Sequence, residues 1–111
     1  MAIQPVLKSG GQVLVECLIR QQVDKVFCVP GESYLAVLDG LFEQKDKIQL
    51  INTCHEAGAS NMAEAYGKLT GNAGIAFVTR GPGACHASVG VHIAKQDSTP
   101  MVLFIGQVPS N

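Results

Sequence analysis

Apolar residues recur along the chain in two rhythms, a helical stripe and a short unbroken run, and the two rhythms alternate. Val13, Leu14, Cys17 and Leu18 keep helical spacing after Gly10 and Gly11 and predict a first helix that runs to about Gln22. Val26 to Val29 reads as a buried strand, which Pro30 and Gly31 break. Ser33 is then a candidate cap for a second helix with Leu35, Leu38, Leu41 and Phe42 on one side, and Lys45 to Lys47 predicts a solvated turn. A second strand, Ile48 to Thr53, passes through Cys54 and His55 into a helix that begins near Glu56. Its stripe is Ala59, Met62, Ala63, Tyr66 and Leu69, and Lys68 and Gly71 mark its end. Ile75 to Thr79 is a third strand and Gly81-Pro82-Gly83 the joint after it. A fourth helix follows with Ala84, Ala87, Val91 and Ala94 as its stripe, ended by Asp97 to Pro100, and Met101 to Ile105 is a fourth strand.

Strands and helices in strict alternation build a parallel sheet covered by helices. The expected fold class is therefore α/β, a three-layer αβα arrangement on a doubly wound, mostly parallel sheet of the flavodoxin-like kind, with about four strands in this fragment. A length of 111 residues fits one compact domain and not two.

Composition removes several function classes. Hydrophobic residues make up 47% and charged residues 15%, which excludes a disordered chain. The formal net charge is −1 with no basic stripe, so nucleic acid is not an expected partner. Met1 to Gly11 has one Lys and no apolar run of signal-peptide length, and the longest apolar segment, Met101 to Ile105, is far short of a membrane span. No membrane partner and a cytoplasmic location are the expectations. Cys17, Cys28, Cys54 and Cys85 form no Cys-x-x-Cys pair and read as buried thiols.

In an open parallel sheet the ligand crevice lies beyond the carboxyl ends of the strands, so the joints there are where chemistry is sought. Three stand out: Val29-Pro30-Gly31-Glu32-Ser33, Cys54-His55-Glu56-Ala57-Gly58-Ala59 and Arg80-Gly81-Pro82-Gly83-Ala84. A carboxylate at the start of a helix is favoured by the free backbone N–H groups by about 0.3–1 kcal/mol, which alone would explain Glu56. Its neighbours Ala57, Gly58 and Ala59 are small, however, and leave room for a ligand to approach the backbone. Pro-Gly joints set rigid turns, and Gly81-Pro82-Gly83 ahead of a helix is a weak phosphate signal that lacks the Lys of a phosphate loop. A Cys54–His55 dyad is disfavoured because adjacent residues leaving a strand point to opposite sides. His86 and His92 do not have the spacing of two ligands on one helical face, so no metal site is expected.

Taken together, Pro30-Gly31, His55-Glu56-x-Gly58-Ala59, Met62-Ala63-Glu64-Ala65-Tyr66-Gly67, Thr70-Gly71, Thr79-x-Gly81-Pro82-Gly83-Ala84, Asp97-Ser98-x-Pro100 and Gly106-Gln107-Val108 follow one another as they do in the acetolactate synthase-like thiamine-diphosphate enzymes. The chain resembles the N-terminal pyrimidine-binding (PYR) domain of that family from about residue 10 onward. Residues 1–111 are then expected to be an incomplete domain of this kind, within a longer carboligase (a transferase) or 2-keto acid decarboxylase (a lyase).

The resemblance implies that Glu56 is the catalytic carboxylate, hydrogen-bonded to ring nitrogen N1′ of thiamine diphosphate. Sharing a proton there favours the imino tautomer, whose nitrogen takes the proton from thiazolium C2. It also implies that Pro30, Gly31, Gly81, Pro82 and Gly83 border the ring, with His86 at its edge. The diphosphate and Mg²⁺ go to a different domain, marked by Gly-Asp-Gly and Asn-rich segments absent from this sequence. Each cofactor sits between two subunits, so a homo-oligomer is implied, the substrate is a 2-keto acid such as pyruvate, FAD is allowed elsewhere in a full-length enzyme, and the fragment alone should be inactive. The chain departs from the family pattern at Glu32, where a second Gly is usual, and at Cys85-His86, which replace Thr-Asn. Two other readings stay open at this point: a separate subunit of a split decarboxylase, and a noncatalytic flavodoxin-like module that binds a phosphate or nucleotide.

Overall fold

A computed structural model of the protein describes residues 6–110, so the reading of the chain's start before Val6 lies outside the described residues. The elements are α1 (Gly10–Arg20), β1 (Lys25–Cys28), α2 (Leu35–Glu43), β2 (Gln49–Asn52), α3 (Glu56–Thr70), β3 (Gly74–Val78), α4 (Pro82–Asp97) and β4 (Met101–Ile105), with one 3₁₀ turn at Glu32–Tyr34. Helix α1 starts at the glycines that were expected to precede it. Ser9 caps it through a reciprocal capping box, its hydroxyl accepting from the Gln12 N–H while the Gln12 side chain accepts from the Ser9 N–H.

The four strands pair in the order β2-β1-β3-β4, every pairing parallel, with Cys28 beside Asn52, Phe27 beside Ala76 and Val78 beside Ile105. Because side chains alternate across a strand, the sheet carries a separate core on each face. Val26, Cys28, Ile75 and Phe77 point to the side where Val15 and Leu18 of α1 and Leu41 of α2 are buried. Phe27 and Ala76 point to the other, against Ala59 and Ala63 of α3. Helix α4 lies along α3 on that second side, and the result is the expected three-layer, doubly wound arrangement. The order reverses between β1 and β3, and in open parallel sheets it is at the carboxyl ends beside such a reversal that ligands bind.

The helix faces differ from the hydrophobic stripes in an informative way. Leu35 and Phe42 of α2 are 58% and 70% exposed, since this short helix turns only one edge to the core, through Gly40 and Leu41. On α3 the buried face is Ala59, Ser60, Ala63, Glu64 and Gly67, while Met62 and Leu69 face out. On α4 it is Gly83, Ala87, Gly90 and Ala94, so Val91 is exposed and Ala84 only half-buried. Small residues line the crossing of α3 and α4 because the backbones touch: a Cβ on Gly90 would lie 2.6 Å from the Ser60 carbonyl carbon. Buried Glu64 is satisfied by Lys68 at 2.9 Å and the Thr99 hydroxyl at 2.9 Å, a tie from α3 to the segment before β4.

Ser33 does not cap α2. It sits inside the 3₁₀ turn, and its hydroxyl pairs with the Thr79 hydroxyl at 2.8 Å. Of the four cysteines only Cys28 is buried; Cys17, Cys54 and Cys85 are exposed, because α1 turns Cys17 away from the sheet and the other two stand in or beside joints. Among the described residues no helix is long and apolar enough to cross a membrane.

Candidate functional site

The joints after β1, β2 and β3 open on one edge of the sheet and are tied to one another. The first and third are linked by the Ser33–Thr79 bond and by Arg80 with Glu32 at 3.3 Å. Gly31 is needed there: a Cβ would come within 2.9 Å of the Thr79 Cβ. The second and third are linked through Glu56, whose Oε2 lies 3.0 Å from His86 Nδ1 on α4. A Cβ on Gly83 would sit 2.9 Å from the Thr79 methyl and 3.6 Å from Glu56 Oε1, so the carboxylate lies against that joint. Gly81 has φ 62° and ψ −116°, backbone that only glycine adopts freely, and a Cβ there would meet nothing within 4 Å. Pro82 opens α4, where a missing N–H costs nothing.

Glu56 is the first residue of α3, placed by an extended His55 that caps the helix, its ring Nδ1 accepting the Ala57 N–H at 3.1 Å. The Thr53 hydroxyl holds the His55 carbonyl at 2.9 Å and fixes the chain between β2 and α3. The Glu56 side chain is 14% exposed and turns toward α4 rather than into solvent. The bond from its own backbone N–H is the main force holding its carboxyl below the ordinary 4.5; burial opposes that, and His86 and His55 reinforce it. The helix terminus and the histidines therefore outweigh desolvation in the absence of a ring. The imidazoles of His55 and His86 stack with centroids 4.6 Å apart, so Glu56 stands beside a pair of histidines.

The structure thus brings Pro30-Gly31, Glu56, Gly81-Pro82-Gly83 and His86 to one edge, the residues picked from sequence. It adds two the sequence reading passed over. His55 and Thr79 stood within the motifs that carry the resemblance but were given no role of their own, although the Gly31 and Gly83 contacts converge on Thr79. His92 lies exposed further along α4.

Comparison with known proteins gives the family. Residues 8–111 match the family model described as thiamine pyrophosphate enzyme, N-terminal TPP binding domain. The chain belongs to this family. It is 42% identical over 103 residues to the mitochondrial acetolactate synthase catalytic subunit of Saccharomyces cerevisiae, a match that covers 93% of this chain and 15% of that protein. It is 39% identical over 103 residues to an acetolactate synthase of Bacillus subtilis and 37% identical over 103 residues to that organism's putative thiamine pyrophosphate-containing protein YdaP, in each case covering 93% of this chain and 18% of the relative. The chain thus spans less than a fifth of the length of these relatives.

The edge suits the pyrimidine half of that cofactor. It offers a nearly buried carboxylate as hydrogen-bond acceptor, open space at Gly81, and backbone at the joints in place of bulky side chains.

Proposed function

We propose that the chain is the pyrimidine-binding part of a thiamine-diphosphate enzyme of the acetolactate synthase type, acting on a 2-keto acid such as pyruvate as a carboligase or decarboxylase. The observation that carries the reading is the position of Glu56: first residue of α3, turned inward, and set against the Pro-Gly joint of the neighbouring strand. When bound, thiamine diphosphate supplies the electron sink that chemistry at a keto carbon requires.

Glu56 would hold ring nitrogen N1′ and share a proton with it. A bound ring would displace water from the carboxylate, which would push its pKa up from its present depressed position and favour that sharing. Pro30, Gly31, Gly81, Pro82 and Gly83 would border the ring and exclude water, with His86 at its edge. The diphosphate and Mg²⁺ would be held by residues outside this chain, on a second subunit of a homo-oligomer. The outermost strand β4, with Val102 41% and Ile105 42% exposed, is compatible with further chain or a further subunit beside it. The four free thiols fit a reducing compartment, which we take to be the cytoplasm.

The test is Glu56→Gln in the full-length protein that carries this chain. Glutamine keeps size and shape but cannot share the proton, so turnover of pyruvate or a related keto acid should disappear while circular dichroism is unchanged. Turnover within a few-fold of the parent would overturn the role given to Glu56.

A further inference from the structure

One group of side chains at this edge has a chemistry that ring binding does not use. His55, Glu56 and His86 each present one ligand atom, and the three atoms lie within 4.8 Å of one another. Two imidazoles and one carboxylate are the donors that suit Zn²⁺ and its transition-metal neighbours rather than Mg²⁺ or Ca²⁺. The 3.0 Å between His86 Nδ1 and Glu56 Oε2 is close to the ~3.4 Å that two ligands at about 2.1 Å keep around one tetrahedral ion. The two stacked rings, 28° from parallel, do not aim their nitrogens at one point, so ligation takes His55, which is exposed, out of the stack; His86 is half exposed, and an ion can reach the group and keep a fourth position for water. His55 Nδ1 now accepts the Ala57 N–H, so ligation through this ring exchanges the cap of α3 for the ion.

We propose that His55, Glu56 and His86 form a binding site for a divalent transition-metal ion, best suited to Zn²⁺, and that the ion and the pyrimidine ring exclude each other at Glu56. Metal binding follows from the cluster alone; the exclusion rests on the functional reading above. An ion on the Glu56 carboxylate removes the acceptor that N1′ needs. Free Zn²⁺ therefore acts on the intact enzyme as an inhibitor competitive with thiamine diphosphate.

The experiment titrates Zn²⁺ into the intact, cofactor-free protein by calorimetry, with Co²⁺ absorption as a second probe of the ligand set. It is run on the parent, on His86→Asn and His55→Asn, and on Cys54→Ser/Cys85→Ser, which removes the two exposed thiols adjacent in sequence to the histidines. One ion per chain is expected, weakened more than about 10-fold in each histidine variant, since loss of even an outer-shell partner costs a site that much. The thiol variant should bind as the parent does. Saturating thiamine diphosphate with Mg²⁺ should displace the ion. Affinity unchanged in His86→Asn, or lost with the thiols, overturns the site. Simultaneous binding of ion and cofactor overturns the exclusion. His86-dependent Zn²⁺ binding with no thiamine diphosphate binding sinks the functional reading and leaves the metal site standing. Cofactor-dependent turnover lost in Glu56→Gln, with Zn²⁺ binding indifferent to His86, does the reverse.

Discussion

Gly90→Ala probes the contact that sets the site's geometry. Ser60 lies one helical turn after Glu56 on α3, and Gly90 lies one turn after His86 on α4, so their contact is the next layer below the Glu56–His86 bond. A methyl on residue 90 would come within 2.5 Å of the Ser60 Oγ and 2.6 Å of its carbonyl carbon. The hydroxyl can rotate aside, but the backbone carbon cannot. The helices must therefore part by about 0.8 Å to restore ordinary contact in a densely packed interior. Overpacking of this kind typically costs about 1–3 kcal/mol. Alanine returns roughly 1 kcal/mol as a better helix former than glycine. With backbone as the obstacle the clash falls in the upper part of that range, roughly 2–3 kcal/mol, and the net expectation is a loss of about 1–2 kcal/mol. For a domain of this size that corresponds to a fall in Tm of roughly 5–15 °C. Urea titration followed by circular dichroism measures it, with Gly10→Ala as control: a Cβ there meets nothing within 4 Å, so stability should stay level or rise. If Gly90→Ala is as stable as the parent, α3 and α4 are not in backbone contact, and the placing of His86 beside Glu56 fails with it.

Two further expectations follow from single groups. Iodoacetamide at mildly alkaline pH should label Cys17, Cys54 and Cys85 readily and Cys28 only on unfolding, because Cys28 is buried, its thiol donates to Asn52 Oδ1 at 3.2 Å, and burial pushes its pKa up; rapid labelling of all four thiols would contradict the packing of β1. Tyr66→Phe removes the 2.8 Å bond from the Tyr66 hydroxyl to Asp24, which lowers the Asp24 pKa from the ordinary 3.8 and raises that of Tyr66 from 10.0. The depressed carboxyl contributes stability that is complete above 3.8 and lost as pH falls through its folded value, and the raised phenol contributes stability present below 10.0 and lost as pH rises through its own. Urea midpoints of parent and variant should therefore differ across the middle of the pH range and converge at both ends, and a constant difference would show the bond to be absent in solution.

Periodicity carried the strand–helix order because each strand is a short apolar run bounded by glycine, proline or charge. β4 matches its predicted span, α3 begins at Glu56 and ends at a left-handed Gly71 as read, and the other strands shift by a residue. Hydrophobicity found Ala59 and Ala63 on α3 and Ala87 and Ala94 on α4, but wrongly added Met62, Leu69 and Val91, which are exposed. Where two helices meet backbone to backbone, what counts is small size, and Ser60 and Gly90 carry no apolar signal; neither do Gly67 and Gly83, which pack against Pro100 and Thr79. Glu64 is only half legible in sequence, since Lys68 lies one turn further along α3 but Thr99 comes from 35 positions away.

The site was legible to the extent that it is local. Glu56 at a helix start and two Pro-Gly joints are signals within a few residues of sequence, and sheet topology guarantees that joints after parallel strands share an edge. The histidine pair is not local. His55 is a poor match to the residues that usually cap helices, and spacing along one helix compares His86 only with His92. It takes the close crossing of α3 and α4, set by Gly90 on Ser60, to stack His55 on His86 across 31 positions of sequence and to set both beside one carboxylate. The family pattern has Asn where this chain has His86, so the substitution puts an imidazole against the very group whose protonation state the proposed chemistry depends on. His86→Asn therefore restores the pattern and separates the two consequences: the Zn²⁺ affinity of the edge should fall, while Glu56 keeps its backbone N–H, the first cause of its lowered pKa.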